Sequence, residues 1–456
     1  MKRIAIAIAI AAVVAMACGG NSPAPAPAAD ATAPPGQVVE VNFWHAFASG
    51  ANGDATKFLV DKFNSQNQGK IHVTSTAAAA NYDDALAKYK ASIQSNSLPD
   101  LMQVYDIGTR FMIDSKTTTP IQTFIDKEHY NSTDLWPNIL GYYSINNRLN
   151  SMPWNVSMPI LYINKDAFSA AGLDPNKPPT SLDEIRTMSQ KLTKRDANGN
   201  VTQYGFSAAI YGWFLEQWTA RNDQQFCNNG NGRDKNATKM NFGQPTEVQV
   251  VDWWSKMVAD GLALNTGRST GDAQKAFIAG RAAIIVESTG ALRGFTNQVK
   301  FQLGTGFWPK VDANTAAGGP IIGGASLWIG NSKPAYVQNA AWQFVKFLEQ
   351  PDSMSYWHTH TGYFPTDKKA LEQADDQAWV AQYPQFTTAI TQLQQTKVDK
   401  ATQGCLLGVM PQARQAAENA IEAALTKKSS PKQALDDATA AVQPAIDQYN
   451  QSVGAK

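Results

Sequence analysis

Residues able to do chemistry are few and scattered in this chain. His358 and His360 place two imidazoles on one side of a segment read as extended, yet no cysteine or carboxylate cluster accompanies them and the chain has only five histidines. A metal centre needs more ligands than that, so no metal or other cofactor is expected. Ser157 and Ser288 lack the Gly-x-Ser-x-Gly turn that exposes a nucleophile. Acidic pairs are too common for any two to mark a glycosidase. No P-loop is present, so nucleotide chemistry is not expected. What remains is recognition chemistry. Arg414 follows Pro411 by three residues, near the positive end of the helix that Pro411 starts. A cation there is unfavourable unless an anion joins it. The bound anion is one reading; a surface arginine paired to a nearby carboxylate is the other. Gly323 and Gly324 carry no side chains to block approach, so they suit either a touch on a bound anion or a tight turn.

The elements that must position these residues alternate strand with helix. Val39, Val41 and Phe43 alternate with polar neighbours, as in a strand with one buried face. Phe58, Leu59 and Phe63 follow at helical spacing over 54–64. Residues 71–76 read as a strand, 82–95 as a helix and 101–105 as a buried strand. This order points to a parallel sheet covered by helices. The pattern restarts at a strand over 159–163. Ser181 with Glu184 forms a capping box for a helix reaching Leu192. A helix starts at Pro245, a strand covers 282–286, an amphipathic helix covers 338–349, and 411–449 is mostly helical, with Ser430-Pro431 marking one start. Ligands in such sheets sit at the carboxyl ends of the strands, so the loops after Phe43 and Tyr105, around 154–157 and around Ser288 are the ones to inspect.

The N-terminus sets the compartment. Lys2 and Arg3 precede an apolar run over 4–17 that ends at Ala15-Met16-Ala17-Cys18. This is an export leader over 1–17, too short and wrongly flanked for a spanning helix. Cleavage before Cys18 with lipid attachment gives a membrane-anchored protein; cleavage after the Ala-Met-Ala triplet gives a soluble one. The Ala-, Pro- and Gly-rich stretch over 18–37 reads as a tether. The body beyond it has room for two domains. The chain carries a net charge of only +1, which implies no basic face, so nucleic acid is not an expected partner. Cys227 and Cys405 are either bonded after export or buried as thiols.

Several stretches match one family. They are Phe43-Trp44-His45; Gln103-Val104-Tyr105-Asp106-Ile107-Gly108-Thr109; Asn164-Lys165-Asp166-Ala167-Phe168 running to Gly172-Leu173-Asp174-Pro175; Ile321-Ile322-Gly323-Gly324-Ala325-Ser326-Leu327-Trp328; Thr361-Gly362-Tyr363-Phe364-Pro365; and Met410-Pro411-Gln412 with Arg414. Together they resemble the glycerol-phosphate branch of the extracellular solute-binding proteins, the larger family that also holds the maltose-binding proteins. The resemblance implies an α/β periplasmic-binding-protein fold: two lobes, a hinge of three chain crossings, and a ligand cleft between the lobes. Laid on this sequence, lobe one takes 38–153 plus 325–379 and lobe two takes 154–324 plus 380–456. It also implies a non-enzymatic, monomeric component of an ABC importer that docks on permease subunits in the membrane.

The family's ligand contacts fall on Tyr82, Asp106, Ser157, Ser288, Gly324, Tyr363 and Arg414, with Trp44, Ile210, Trp213 and Gly323 as secondary candidates. A glycerol phosphate has an anionic head and a diol tail. The resemblance and the residue types together assign the head to Arg414, which pairs with phosphate through two parallel bonds. Asp106 stands where the family has a glutamate; it either accepts two hydroxyls or caps the next helix. Ile210 stands where a tryptophan is expected in strict glycerol-phosphate binders, which implies space for glycerophosphodiesters such as glycerophosphocholine. An oligosaccharide-binding importer component, or a secreted glycosidase or phosphodiesterase, is the alternative.

Overall fold

The computed structural model describes residues 33–312 and 318–455. The leader, Cys18 and most of the tether lie outside the described residues. Two sheets carry the body. The first is ordered Ile71–Ala77, Val39–His45, Leu101–Tyr105, Gly323–Gly330 and Thr118–Thr119, with Met152–Ser157 also pairing to Gly323–Gly330. The second is ordered Ala263–Asn265, Val201–Ala208, Ala282–Ser288, Pro159–Asn164 and Leu303–Gly306. The first three strands of sheet one are parallel, as the alternating pattern implies. The strand Gly323–Gly330 joins them antiparallel, from far along the chain. The strands Leu101–Tyr105, Met152–Ser157 and Pro159–Asn164 are buried at every residue, as expected where helices cover both faces.

Parallel strands end at one edge of a sheet, and that edge collects the polar residues. Trp44, Thr76 and Met102 lie side by side there, so the chain leaves the sheet at Ala46, Ala78 and Asp106 in one neighbourhood. The passage between the sheets is a single residue long. Ser157 ends a strand of sheet one and Pro159 begins a strand of sheet two. Met158 between them is tied to Thr289 by two hydrogen bonds, at 2.9 and 3.2 Å. That tie brings Ser288, at the end of the strand Ala282–Ser288, opposite Pro159 and close to Ser157.

Local signals explain most helix starts. Ser181 accepts from the Glu184 N–H at 3.2 Å, but the Glu184 carboxylate returns to Thr180 and not to the cap residue. Ser430 accepts from the Gln433 N–H at 3.3 Å and Pro431 opens the helix Pro431–Ser452. The helix Gly212–Arg221 is buried at every residue except Arg221, the pattern of a helix enclosed on all sides. Its first residue must be small, because a Cβ at Gly212 would lie 2.8 Å from the Arg414 carbonyl oxygen.

Two points differ from or complete the sequence reading. The segment around His358 and His360 is the helix Pro351–Thr361, not extended. His358 is buried against Asp376 at 2.7 Å, and His360 stacks on Tyr356, so the two rings serve separate packing roles. Cys227 and Cys405 form a disulfide. It links the segment after the helix Gly212–Arg221 to the segment before the helix Met410–Leu425.

Candidate ligand-binding site

A cavity of about 750 Å³ lies where the edges of the two sheets meet. Tyr82, Asp106, Ser157, Ser288, Gly324, Tyr363 and Arg414 all line it, as do Gly323 and Trp213. Two secondary candidates are not brought there. Trp44 faces Lys88, whose ammonium sits 4.5 Å from its ring, and Ile210 is buried in the core at 1% exposure. Ile210 therefore does not shape the cavity wall; Tyr211 and Trp213 beside it do.

The tyrosines are held by a buried relay. The Ala46 N–H donates to Gln103 Oε1 at 2.8 Å, Gln103 Nε2 donates to Asn155 Oδ1 at 2.8 Å, and Asn155 Nδ2 donates to the Tyr82 hydroxyl at 2.8 Å. The Tyr82 and Tyr363 hydroxyls lie 3.3 Å apart. Since Tyr82 accepts from Asn155, its own proton is free to donate onward, to Tyr363 or into the cavity. Ring packing fixes both phenols: Tyr82 stacks on Tyr105 at 5.4 Å and Tyr363 on Trp357 at 5.8 Å. Burial pushes both phenols up, Tyr82 well above the ordinary value, so they remain neutral donors.

The glycines open the backbone to the cavity. Gly324 has φ +88°, and a Cβ there would lie 1.9 Å from the Asn155 carbonyl oxygen. A Cβ at Gly323 would strike the Trp213 ring at 2.5 Å and sit 3.2 Å from Ser157 Oγ. Only glycine fits either position. On the other sheet, Ser288 Oγ accepts from the Gly290 N–H at 3.1 Å, and a Cβ at Gly290 would lie 2.9 Å from the Tyr363 hydroxyl. Ser157, Gly323, Gly324, Tyr82, Tyr363, Ser288 and Gly290 thus form one neighbourhood of short neutral donors.

Arg414 lies at the other flank and its charge is already met. One terminal nitrogen donates to Asp106 Oδ2 at 3.0 Å and to Glu216 Oε2 at 3.0 Å. All three side chains are buried. The anion that a cation near this helix start requires is therefore supplied by the protein itself. Asp106 shares its carboxylate between Arg414 and backbone N–H groups at the start of the following turn, that of Ile107 among them. Burial pushes both carboxyls up against the pull of Arg414. Burial opposes the guanidinium charge too, but the two carboxylates outweigh it and hold Arg414 firmly charged. Two acids around one base leave this flank with no surplus positive charge. The second cavity arginine, Arg268, is engaged by Glu422 and Asn419.

The sequence reading missed several functional positions. Gln103 sits in the quoted Gln-Val-Tyr run and Asn155 in the passage between sheets, yet neither relay role is visible without the fold. Glu216 carries no local signal at all. Glu287 did carry one: it is a lone acid at the end of the apolar run Ala282 to Val286.

A cleft between two α/β lobes, lined by donors and aromatic rings, is the architecture of a solute-binding protein. The model of the bacterial extracellular solute-binding proteins matches residues 58–388, and the chain belongs to that family. Among curated proteins, it is 33% identical over 406 residues to the sn-glycerol-3-phosphate-binding periplasmic protein UgpB of Yersinia pestis bv. Antiqua, covering 88% of this chain and 90% of that one. It is 32% identical over 408 residues to the same-named protein of Escherichia coli K12, covering 88% and 91%. Among solved structures, UgpB of Mycobacterium tuberculosis in complex with glycerophosphocholine superposes with a TM-score of 0.77 at 20% identity, covering 90% of this chain and 99% of that one. The cyclic α-maltosyl-1,6-maltose binding protein of Arthrobacter globiformis superposes with 0.71 at 21% identity, covering 90% and 100%. The chain is thus the substrate-binding component of an ABC importer and not an enzyme. Among the described residues no helix is long and apolar enough to cross a membrane, and membrane passage falls to permease partners.

Proposed function

We propose that the cavity captures glycerophosphodiesters, with sn-glycerol 3-phosphate as a weaker ligand. The observation that carries this reading is the neutral donor cluster of Ser157, Gly324, Tyr82, Tyr363 and Ser288 set apart from a flank where Asp106 and Arg414 are already paired. The phosphate is assigned to the donor cluster, because clustered hydroxyl and amide donors hold an oxyanion without a counter-ion. The diol is assigned to Asp106 and Arg414, which offer a bidentate acceptor and a donor side by side. This reverses the assignment of the head to Arg414, since a guanidinium whose charge is already balanced by two buried carboxylates has little charge left for phosphate.

Two features favour diester over monoester. A cavity of about 750 Å³ matches ligands larger than a three-carbon phosphate. A monoester also carries about −1.5 to −2 at neutral pH, against a single negative charge for a diester. A cleft lined by Asp83, Asp106 and Glu287, whose two arginines are both paired, penalises the extra charge. The names of the curated relatives and the glycerophosphocholine complex of the Mycobacterium tuberculosis protein support the same ligand class.

A second reading is an oligosaccharide binder. Phe47, Tyr105, Tyr211 and Trp213 line the cavity beside three carboxylates, a pattern that also suits stacked sugar rings. A thermal-shift panel separates the two. Glycerophosphocholine is expected to raise the melting temperature most, glycerol 3-phosphate less, and maltotriose and inorganic phosphate not at all. A shift with maltotriose alone overturns the proposal.

The lobe division at 38–153 plus 325–379 and 154–324 plus 380–456, a three-crossing hinge that closes on ligand, a monomeric state, and lipid attachment at Cys18 remain part of the same proposal. The single-residue passage at Met158 supports a crossing there, a few residues beyond the proposed 153/154 boundary, and the leader read over 1–17, directly before Cys18, supports the lipid attachment.

A further inference from the structure

Glu287 is an acid of the cavity wall whose carboxylate is held by neutral donors alone. It is 4% exposed and stands next to last in the strand Ala282–Ser288, at the cavity. Its Oε1 accepts from the Ser288 N–H at 2.7 Å and its Oε2 from Gln274 Nε2 at 3.1 Å. Asp83 takes the Tyr105 hydroxyl at 2.5 Å but also lies in the field of the Lys90 ammonium, and Asp106 shares Arg414. Among the described residues no basic side chain hydrogen-bonds or ion-pairs with Glu287. A buried carboxyl held by two neutral donors costs stability that a glutamine of the same shape would not. Such a group is better explained by a positive charge that arrives with the ligand. The same cavity offers the rings of Tyr211 and Trp213, which attract an ammonium group through their faces.

Resting on the diester reading above, we infer that Glu287 is the counter-ion for an ammonium group carried by the far ester arm of the ligand, so that the cavity selects zwitterionic phosphodiesters. With the diol at Asp106 and Arg414 and the phosphate at the donor cluster around Ser288, the next atoms of the ligand reach the residue adjoining Ser288. Gln274 and the Ser288 amide then act as positioning groups that aim the carboxylate. Burial pushes the Glu287 carboxyl up to about 7, so its charge is available in the upper part of the physiological range. The titratable groups that face it are the neutral phenols of Tyr162, Tyr211 and Tyr363, from the strand Pro159–Asn164, the start of the helix Gly212–Arg221, and the loop after the helix Pro351–Thr361.

The test is calorimetry on the full mature protein and on E287Q, with glycerophosphocholine, glycerophosphoglycerol and glycerol 3-phosphate. E287Q keeps an acceptor for the Ser288 amide and is expected to melt at or above the wild-type temperature. Its affinity for glycerophosphocholine should fall about tenfold or more, while that for glycerophosphoglycerol stays level or improves. In the wild type, glycerophosphocholine affinity should rise between pH 6 and pH 8, with no parallel rise for glycerophosphoglycerol. Equal losses for both diesters, or no loss for either, overturn the role of Glu287 and leave the diester reading standing. A wild-type protein that binds none of the three phosphoesters overturns both.

Discussion

Arg414 and Asp106, 308 residues apart in the chain, meet at 3.0 Å in the wall of the cleft, and Glu216 meets the same guanidinium nitrogen at 3.0 Å. The site is therefore pre-built around an internal ion cluster, not around a vacant cation. Removing Arg414 leaves two buried carboxylates without a counter-charge. Arg414→Ala should destabilise the protein by about 3–5 kcal/mol and abolish ligand binding. Arg414→Lys should be intermediate, because the ammonium keeps the charge but its shorter reach and different shape do not place a donor where the guanidinium nitrogen meets both acids. Urea denaturation of the three proteins, without ligand, reads the stability term directly.

The disulfide feeds the same cluster. The Cys405 N–H donates to Glu216 Oε1 at 3.2 Å, and Cys405 is bonded to Cys227 across 178 residues. Cross-links over long loops restrict the unfolded chain most, with typical effects of about 2–5 kcal/mol. The double variant Cys227→Ala, Cys405→Ala should lose stability in that range. It should also lose ligand affinity, because Glu216 and hence Arg414 are less firmly placed. Parallel denaturation and calorimetry on the variant check both effects.

Gly324 is the sharpest steric test of the cleft. Its φ of +88° and the 1.9 Å approach of the Asn155 carbonyl to a built Cβ leave no room for alanine. Gly324→Ala should separate the strands Met152–Ser157 and Gly323–Gly330 at their cavity end, costing about 1–3 kcal/mol in strain. Binding should fall further than stability alone explains, since the same strand end carries Ser157 and Gly323. The comparison to make is the melting temperature against the dissociation constant for one ligand.

Buried acids set the pH dependence of the ligand-free protein. Burial pushes Glu247 up to about 8 from its ordinary 4.5, where it accepts from Thr219 and from the Gln244 N–H. In the unfolded chain it ionises near 4.5; in the folded chain it stays neutral until about 8. The unfolded state therefore gains relative to the folded one as pH rises through that window, and the loss is complete above it. Glu287 acts in the same sense up to about 7. His45, lowered by burial to about 4, acts on the acid side, where stability falls as pH drops below its ordinary 6.5. Glu247→Gln should melt progressively higher than the wild type between pH 5 and pH 8. Thermal melts across that range check the slope.

The legible parts of this fold were those written in local chemistry. Ser181 and Ser430 announced their helices because an N-cap side chain needs only its own neighbours. The alternation at Val39, Val41 and Phe43 gave a strand because one buried face is a short-range pattern. His358 and His360 were misread as extended, since the helix there depends on packing against Trp154, Asp376 and Phe386 more than on its own sequence. The site positions were legible through motifs, but their electrostatics were not. Nothing near Arg414 in sequence reveals that Glu216 lies against it, and nothing near Ile210 shows that it turns into the core while Tyr211 and Trp213 turn to the cleft. Those relations arise from the close approach of two helices across Gly212, which is a tertiary fact.

The measurement that bears most directly on the account is a calorimetric titration of glycerophosphocholine into the mature protein at pH 7.5. A single saturable site is expected, with a dissociation constant in the micromolar range or tighter, about −8 kcal/mol or better. Ser157→Ala, which removes one donor from the phosphate cluster without touching the ion cluster, should weaken it about tenfold. The absence of heat with this diester, alongside a saturable titration with maltotriose, would contradict the claim that these donors grip a phosphate.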